Sequence, residues 1–198
     1  KVEIVATLGY SGFTGDSTFA IIANPPTISN TVTPRAGPAA GDSPIYITGT
    51  GLNIPGIAIE APTGSSVTDI VVSSPAAAHG TTPAHAAGPV KVKVTTEDGS
   101  AETTVNAYEY LNAPTVTSCT PNHGPTAGGT SVAVVGTGFT DGSIDPDGET
   151  EMQIPAGVAA LTSYHVVDAE HATGVTVPHA AGVVDVAYYC FRGVGTLT

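Results

Sequence analysis

Short runs of alternating apolar and polar residues, separated by glycine and proline, cover most of this chain. One run alternates three valines with two lysines ahead of an Asp-Gly pair: Val90, Lys91, Val92, Lys93 and Val94. A period of two is typical of a strand buried on one face, and Asp-Gly between two such runs indicates a hairpin. We therefore expect the valines to face a core and the lysines to face water.

A second pattern is that the chain repeats itself. The stretch "VTPRAGPAAGDSPIYITGTGL" (32–52) aligns with "CTPNHGPTAGGTSVAVVGTGF" (119–139) at a constant offset of 87 residues. Self-similarity at a fixed offset indicates tandem units. In each copy the Gly-Pro-x-x-Gly segment predicts a chain reversal, and the β-branched run after it predicts a strand. The following Gly-Thr-Gly predicts a bend that returns Leu52 or Phe139 to the core.

The beginning of the chain matches the end of a repeat. "KVEIVATLGYSGFTGDSTFAIIANPPT" aligns with residues 89–115 at an offset of 88 residues. Residues 1–24 are thus predicted to be the last two strands of a unit, and residues 25–112 a complete unit. The spacing from His85 to Pro114 places the close of the third unit, residues 113–198, beyond Thr198, so we expect it to lack its last strand.

Two interpretations of this layout stay open. In the first, the 198 residues are a window from a longer multi-repeat polypeptide, which agrees with a first residue that is lysine and not methionine. In the second, residues 1–24 of one chain complete the last unit of another, linking subunits head to tail by strand addition.

Composition and charge narrow the class of protein. The chain has 24 glycines, 16 prolines and no tryptophan, with 41% hydrophobic residues dominated by small side chains. Many turns between short strands predict an all-β fold. The net charge of −12 opposes binding to nucleic acid or to anionic lipid. No apolar run is long enough to cross a bilayer, so we expect no membrane insertion.

The segment "PTVTSCTPNHGPTAGGTSVAVVGTGF" (114–139), followed by "VTVPHAAGVVDVAY" (175–188), resembles the IPT/TIG family of immunoglobulin-like domains. The resemblance extends over nearly the whole chain. It is looser in the copy that starts at Pro26, where Asp42 replaces a glycine and Leu52 replaces a phenylalanine. It implies tandem immunoglobulin-like β-sandwich domains.

Histidines and acidic residues are the candidates for metal binding. His165, His171 and His179 with Glu170 lack any compact zinc spacing, and His179 occupies the repeat position of His85, which favours a structural role. The acidic loop "TDGSIDPDGETE" offers oxygen ligands suited to Ca²⁺ in a flexible segment, although it lacks the EF-hand spacing. Its candidate ligands are Asp141, Asp145, Asp147 and Glu149, and a solvated acidic loop is the alternative.

Cys119 and Cys190 are the two cysteines of the chain. Both fall near the ends of predicted strands of the last unit. A single bridge between them and a pair of buried free thiols are both compatible with the sequence.

Catalytic and sugar-binding signals are weak. The chain has no Gly-x-Ser-x-Gly elbow, phosphate-binding glycine loop or dinucleotide fingerprint, so we expect no enzyme and no cofactor. A sugar platform needs exposed aromatic rings. The candidates are Tyr10, Phe13, Tyr108, Tyr110, Tyr188, Tyr189 and Phe191, and strand packing is the favoured role for "YEY" and "YYCF".

The predicted function is structural. We expect a spacer, decoration or adhesion module on an extracellular surface, a cell surface, a virion or an extracellular filament, with neighbouring copies of the chain or adjacent repeats as protein partners. The alternative is a glycan-associated accessory module of a secreted glycosidase, because domains that resemble these accompany such enzymes. A DNA-binding role, known for some relatives of the fold, conflicts with the acidic charge.

Overall fold

The computed structural model describes residues 24–140, 150–158 and 160–198, and these residues form strands and turns without a helix. Of the hairpin predicted for residues 1–24, all but Asn24 lies outside the described residues. The first unit (residues 25–112) contains one four-stranded and two three-stranded sheets, and the second unit (residues 113–198) contains one four-stranded and one three-stranded sheet. The fold is therefore all-β, as the alternating pattern predicted.

The first unit contains ten strands. They are β1 (Thr27–Ile28), β2 (Ala36–Pro38), β3 (Pro44–Thr50), β4 (Ala58–Glu60), β5 (Thr68–Ser74), β6 (Ala77–Thr81), β7 (Gly88–Val90), β8 (Lys93–Thr96), β9 (Gly99–Glu102) and β10 (Tyr108–Leu111). One sheet has the order β1-β3-β6-β5. On the other side, β8 pairs with β4 and β9, while β10 lies between β2 and β7.

The alternation of valine and lysine has the predicted effect. Val90, Val92 and Val94 are 8%, 0% and 0% exposed, because successive side chains of a strand point to opposite faces. Lys91 binds Glu102 at 3.3 Å and Lys93 lies 3.9 Å from Glu60 on the outer face. The core thus consists of small branched side chains together with Ile45, Ile47, Tyr108 and Tyr110.

The second unit repeats most of this architecture. Its strands are β11 (Thr115–Thr120), β12 (Ser131–Thr137), β13 (Glu151–Gln153), β14 (Thr162–Val166), β15 (His171–Val175), β16 (Val186–Cys190) and β17 (Gly193–Leu197). The order β11-β12-β15-β14 matches β1-β3-β6-β5, and β13-β16-β17 matches β4-β8-β9. Among the described residues of this unit, no strand corresponds to β2, β7 or β10.

The repeated Gly-Thr-Gly segments form the predicted bends. Gly49 and Gly136 lie directly against the backbone carbonyls of Thr27 and Thr115, and a Cβ atom there would collide with those oxygens. Two residues later, Gly51 and Gly138 have φ values of +66° and +72°. The chain then turns inward, and Leu52 and Phe139 are 0% and 2% exposed.

The predicted reversal lies in the second part of the Gly-Pro-x-x-Gly segment, and the first part of the segment forms a strand. Gly37 and Pro38 belong to β2, which pairs in parallel with β10. The chain reverses after them, where the Gly41 N–H donates to the Pro38 carbonyl at 3.0 Å and Gly41 has a φ of +77°. The pairing with β10 keeps Gly37 and Pro38 extended, which the local turn signal did not indicate.

No helix of the described segments has the length and apolar character needed to span a membrane.

Candidate strand-binding groove

A groove of about 660 Å³ opens in the second unit at the place where the first unit holds β10. Its rims are two loop segments, residues 122–126 and residues 182–184. Val132, Val186 and Ile154 contribute apolar surface to it, and His179 lies at one side. This volume falls in the range of protein sites that bind small molecules.

The repeat alignment relates each rim to a strand of the first unit. Residues 123–125 correspond to β2, and residues 182–184 correspond to β7. In the first unit, β10 fills the space between these strands, parallel to β2 and antiparallel to β7. Both rims of the groove therefore have the sequence position of a strand that flanks β10, without β10 between them.

Two tyrosines of β10 show how a central strand fills the core of a unit. Tyr108 and Tyr110 are each 1% exposed, and their rings meet edge to face with centroids 5.0 Å apart. The Tyr110 hydroxyl donates to the Ala61 carbonyl at 2.6 Å. Burial raises the pKa of both phenols above the ordinary value, since the phenolate loses its hydration.

No described residue forms a strand between the two rims of the second unit, and most rim residues are exposed. Gly37 and Pro38 are buried under β10, whereas the corresponding Gly124 and Pro125 are exposed. Val183 is fully exposed. Exposed backbone with free hydrogen-bonding groups next to apolar side chains can accept an added strand.

The rims also offer unused backbone hydrogen-bonding groups. In the first unit, β10 accepts a bond from the Ala39 N–H at 2.7 Å and donates to the Arg35 carbonyl at 2.9 Å. Ala107, directly before β10, donates to the Val90 carbonyl at 3.0 Å. The corresponding groups are the Thr126 N–H and the carbonyls of Asn122 and Val184. Within the described part of the chain, these three groups form no backbone hydrogen bond.

His85 and His179 have the same structural role in the two units. Each Nδ1 donates to the carbonyl of the next residue at 2.8 Å. Each backbone N–H donates at 2.9 Å across the neighbouring loop, to Ala39 and Thr126 respectively. His85 also packs on Tyr110 with ring centroids 5.1 Å apart, whereas His179 faces the open groove.

The metal candidates do not form a site among the described residues. There, no three His, Cys, Asp or Glu side chains are placed to hold an ion. His171 instead binds Asp168 at 2.8 Å, and the Glu170 N–H and this histidine lower the pKa of the Asp168 carboxyl. The calcium candidates Asp141, Asp145, Asp147 and Glu149 lie outside the described residues, so that site stays a prediction.

Cys119 and Cys190 are not bridged in this structure, and both are half-buried at the edge of the second core. Burial raises the pKa of the Cys119 thiol. Each thiol lies near a carbonyl, that of Pro121 at 3.9 Å or that of Gly193 at 3.8 Å. A bridge between them stays a prediction.

Three of the five aromatic candidates that the structure describes are core residues. Tyr188 is fully buried and packs on Phe139, with ring centroids 4.8 Å apart, as Tyr108 and Tyr110 are buried in the first unit. Tyr189 and Phe191 are half-buried, and Tyr10 and Phe13 lie outside the described residues. The sequence analysis missed Tyr46, which is 50% exposed and lies beside His79. Its position between the inward-facing Ile45 and Ile47 was the available signal.

Comparison with known proteins identifies the family and the fold. A sequence model of the IPT/TIG domain matches residues 26–110 and again residues 114–188. No curated protein gave a match. Among solved structures, the plexin A4 extracellular region is 17% identical over 87% of this chain, which spans 18% of it, with a TM-score of 0.46. The surface glycan-binding protein of Prevotella bryantii is 15% identical over 89% of this chain, which spans 42% of it, with a TM-score of 0.38.

A tandem of titin domains is also similar, at 11% identity over 86% of this chain and 64% of its own length, with a TM-score of 0.37. The two family matches together cover most of the sequence and coincide with the two units of the structure. This chain belongs to the IPT/TIG family and contains two of its immunoglobulin-like domains in tandem.

Proposed function

We propose that this chain is a non-enzymatic structural module of an extracellular assembly, and that the groove of its second unit accepts a strand from a neighbouring polypeptide. One observation carries the proposal. The same position holds the central strand β10 in the first unit and an open groove of about 660 Å³ in the second.

The chemistry of the groove suits an extended peptide better than a small molecule. Two rims with unused backbone groups lie on either side of apolar side chains. Strand addition uses both features, because main-chain hydrogen bonds supply affinity and pockets for alternate side chains supply specificity. The first unit supplies the precedent, with β10 bound on both edges and its tyrosines inside.

The surface supports an exposed, extracellular location. The chain carries 17 acidic and five basic residues, and its net charge of −12 favours solubility. Such a surface suits the outside of a cell, a virion or a filament. Its partners would be neighbouring copies of the chain or adjacent repeats.

Light scattering across a range of protein concentrations, together with electron microscopy of the same samples, tests this proposal. We expect the chain to form oligomers or filaments that grow with concentration. The Thr126→Pro variant should reduce association, because proline removes an N–H that an added strand needs. A chain that stays monomeric at millimolar concentration would contradict the proposal.

A second candidate function is glycan binding, and Tyr46 is the observation that favours it. Its ring is half-exposed on β3, with its centroid 5.2 Å from that of His79 on β6 and the two planes 30° apart. Exposed rings stack on the apolar faces of sugars. Glycan-array binding that is lost in Tyr46→Ala would support this function, and equal signals from both proteins would exclude this surface.

A further inference from the structure

We infer that the groove of the second unit binds residues 19–23 of a second copy of this chain, as an extended strand in the position that β10 has in the first unit. This inference rests on the proposed function, because it names the strand that the groove accepts. The donor segment has the sequence Phe-Ala-Ile-Ile-Ala.

The repeat alignment fixes the register of the donor segment. At the offset of 88 residues, Ala20 and Ile22 correspond to the buried Tyr108 and Tyr110 of β10, and Ile21 corresponds to the exposed Glu109. Because side chains alternate along a strand, Ala20 and Ile22 would enter the groove while Ile21 faces outward.

At two positions the groove has a larger wall residue than the first unit has. At the same two positions the donor segment has a smaller side chain than β10. Thr130 replaces Ser43, and its hydroxyl lies 2.5 Å from the point where a Cβ on Gly124 would be. The corresponding point on Gly37 in the first unit meets the Tyr108 hydroxyl. Thr130 therefore fills part of the space that the Tyr108 side chain uses, which suits an alanine.

The second position shows the same relation. The Tyr110 hydroxyl reaches the Ala61 carbonyl at the end of β4. The strand registers of β4 and β13 place Ile154 at the equivalent point of the second unit, where it lines the groove. Ile154 is larger than Ala61, so the space beside it suits the smaller Ile22 better than a tyrosine. At a third position of the groove, Val132 replaces Ile45, and its side chain is smaller by only one carbon atom.

The backbone groups complete the site. By analogy with β10, the N–H groups of Phe19 and Ile21 would donate to the carbonyls of Val184 and Asn122. The carbonyl of Ala23 would accept from the Thr126 N–H. Three main-chain bonds would then occupy the groups that the second unit leaves unused.

A second copy supplies this segment more readily than the same copy does. The Asn24 N–H bonds to the Asp98 carboxylate at 3.4 Å, at the turn between β8 and β9. From that point, residues 19–23 reach only roughly 17 Å in extended form. The chain from Gly99 to Leu111, which includes β9 and β10, separates that turn from the second unit and has a contour length of roughly 40 Å.

Matched variants of the full chain test the inference by analytical ultracentrifugation. Ile22→Asp would place a carboxylate inside the apolar groove, so we expect the dissociation constant of self-association to rise at least about tenfold. Ile21→Asp introduces the same charge one residue away on the outward side and should retain association within about threefold. Equal association of the two variants would overturn the inference.

A labelled peptide of residues 15–25 tests the same site directly. The receptor is the full-length Ile22→Asp chain. Its own residues 19–23 carry the aspartate and should not bind the groove, so the groove is available to the peptide. By fluorescence anisotropy, the wild-type and Ile21→Asp peptides should bind, and the Ile22→Asp peptide should bind at least about tenfold more weakly. A cooperative thermal unfolding transition of the receptor, measured by circular dichroism, checks that the receptor is folded.

The possible failures are distinguishable. If none of the peptides binds, but Thr126→Pro still abolishes self-association, the groove accepts another strand, and the inference fails while the proposed function stands. If the peptide binds but the wild-type chain remains monomeric at every concentration, the segment binds within its own chain, and a second copy is not the donor. If neither binding nor association occurs, both the inference and the proposed function fail.

Discussion

At the scale of single residues, the two tyrosines of β10 differ although both are buried. The Tyr110 hydroxyl donates to the Ala61 carbonyl at 2.6 Å, whereas among the described residues the Tyr108 hydroxyl has no hydrogen bond of normal geometry. A buried carbonyl that loses its donor cannot be satisfied by water. The Tyr110 hydroxyl should therefore contribute more to the free energy of unfolding than the Tyr108 hydroxyl does.

This difference can be measured by removing each hydroxyl. Tyr110→Phe should lower the free energy of unfolding of the first unit by about 1–2 kcal/mol, because the Ala61 carbonyl would remain buried and unpaired. Tyr108→Phe should change it by less than about 0.5 kcal/mol. Urea denaturation of both variants provides the comparison, and equal losses would contradict the assignment of the hydrogen bond.

The buried phenols also predict a dependence of stability on pH. Burial raises the pKa of Tyr108, Tyr110 and Tyr164 in the folded chain, so the unfolded chain releases these protons first. Their contribution is therefore complete below the ordinary pKa of about 10 and is lost as the pH rises above it. Phenolate absorbance at 295 nm should show these tyrosines ionising together with unfolding followed by circular dichroism. Full ionisation of all tyrosines in a folded chain would contradict the burial.

At the scale of strands, glycine permits the close approach of two paired strands in each unit, β1 to β3 and β11 to β12. In the second unit, Gly136 lies against the Thr115 carbonyl, and a Cβ atom there could not be accommodated without moving backbone. Gly136→Ala should therefore destabilise the second unit by about 2 kcal/mol or more. Gly182→Ala is the control, since nothing lies within 4 Å of its added methyl group. Equal shifts of the unfolding temperature in Gly136→Ala and Gly182→Ala would contradict this packing.

Amide exchange should report the presence or absence of a central strand. The Ala39 N–H is bonded to the Leu111 carbonyl at 2.7 Å and should be protected. The corresponding Thr126 N–H should exchange rapidly in dilute protein and become protected when the chain associates. Hydrogen exchange followed by NMR at two concentrations measures both amides. Strong protection of Thr126 in the monomer would show that the groove is already filled.

The sequence predicted the features that depend on local pattern. Alternation identified Val92 and Val94 as core residues, and repeated glycines located the bends before Leu52 and Phe139. It did not predict that Gly37 and Pro38 form a strand, because that strand depends on a partner about seventy residues away in sequence. The groove depends on the same long-range pairing, so only the alignment of the two repeats indicated it.

At the scale of the whole molecule, the two units have separate cores of different composition. The first core includes Tyr108 and Tyr110, which no described residue replaces in the second. The net charge of −12 opposes close approach of chains, so the proposed self-association requires specific contacts such as an added strand. The assembled form should thus stabilise the second unit more than the first.

The central claim is that one chain completes the second unit of the next by adding a strand. Electron cryomicroscopy of the chain at a concentration where it associates tests this claim most directly. The account predicts density for an extended segment between residues 122–126 and residues 182–184, with the Phe-Ala-Ile-Ile-Ala sequence parallel to the first of these rims. An assembly in which this groove is empty, and the chains meet elsewhere, would contradict it.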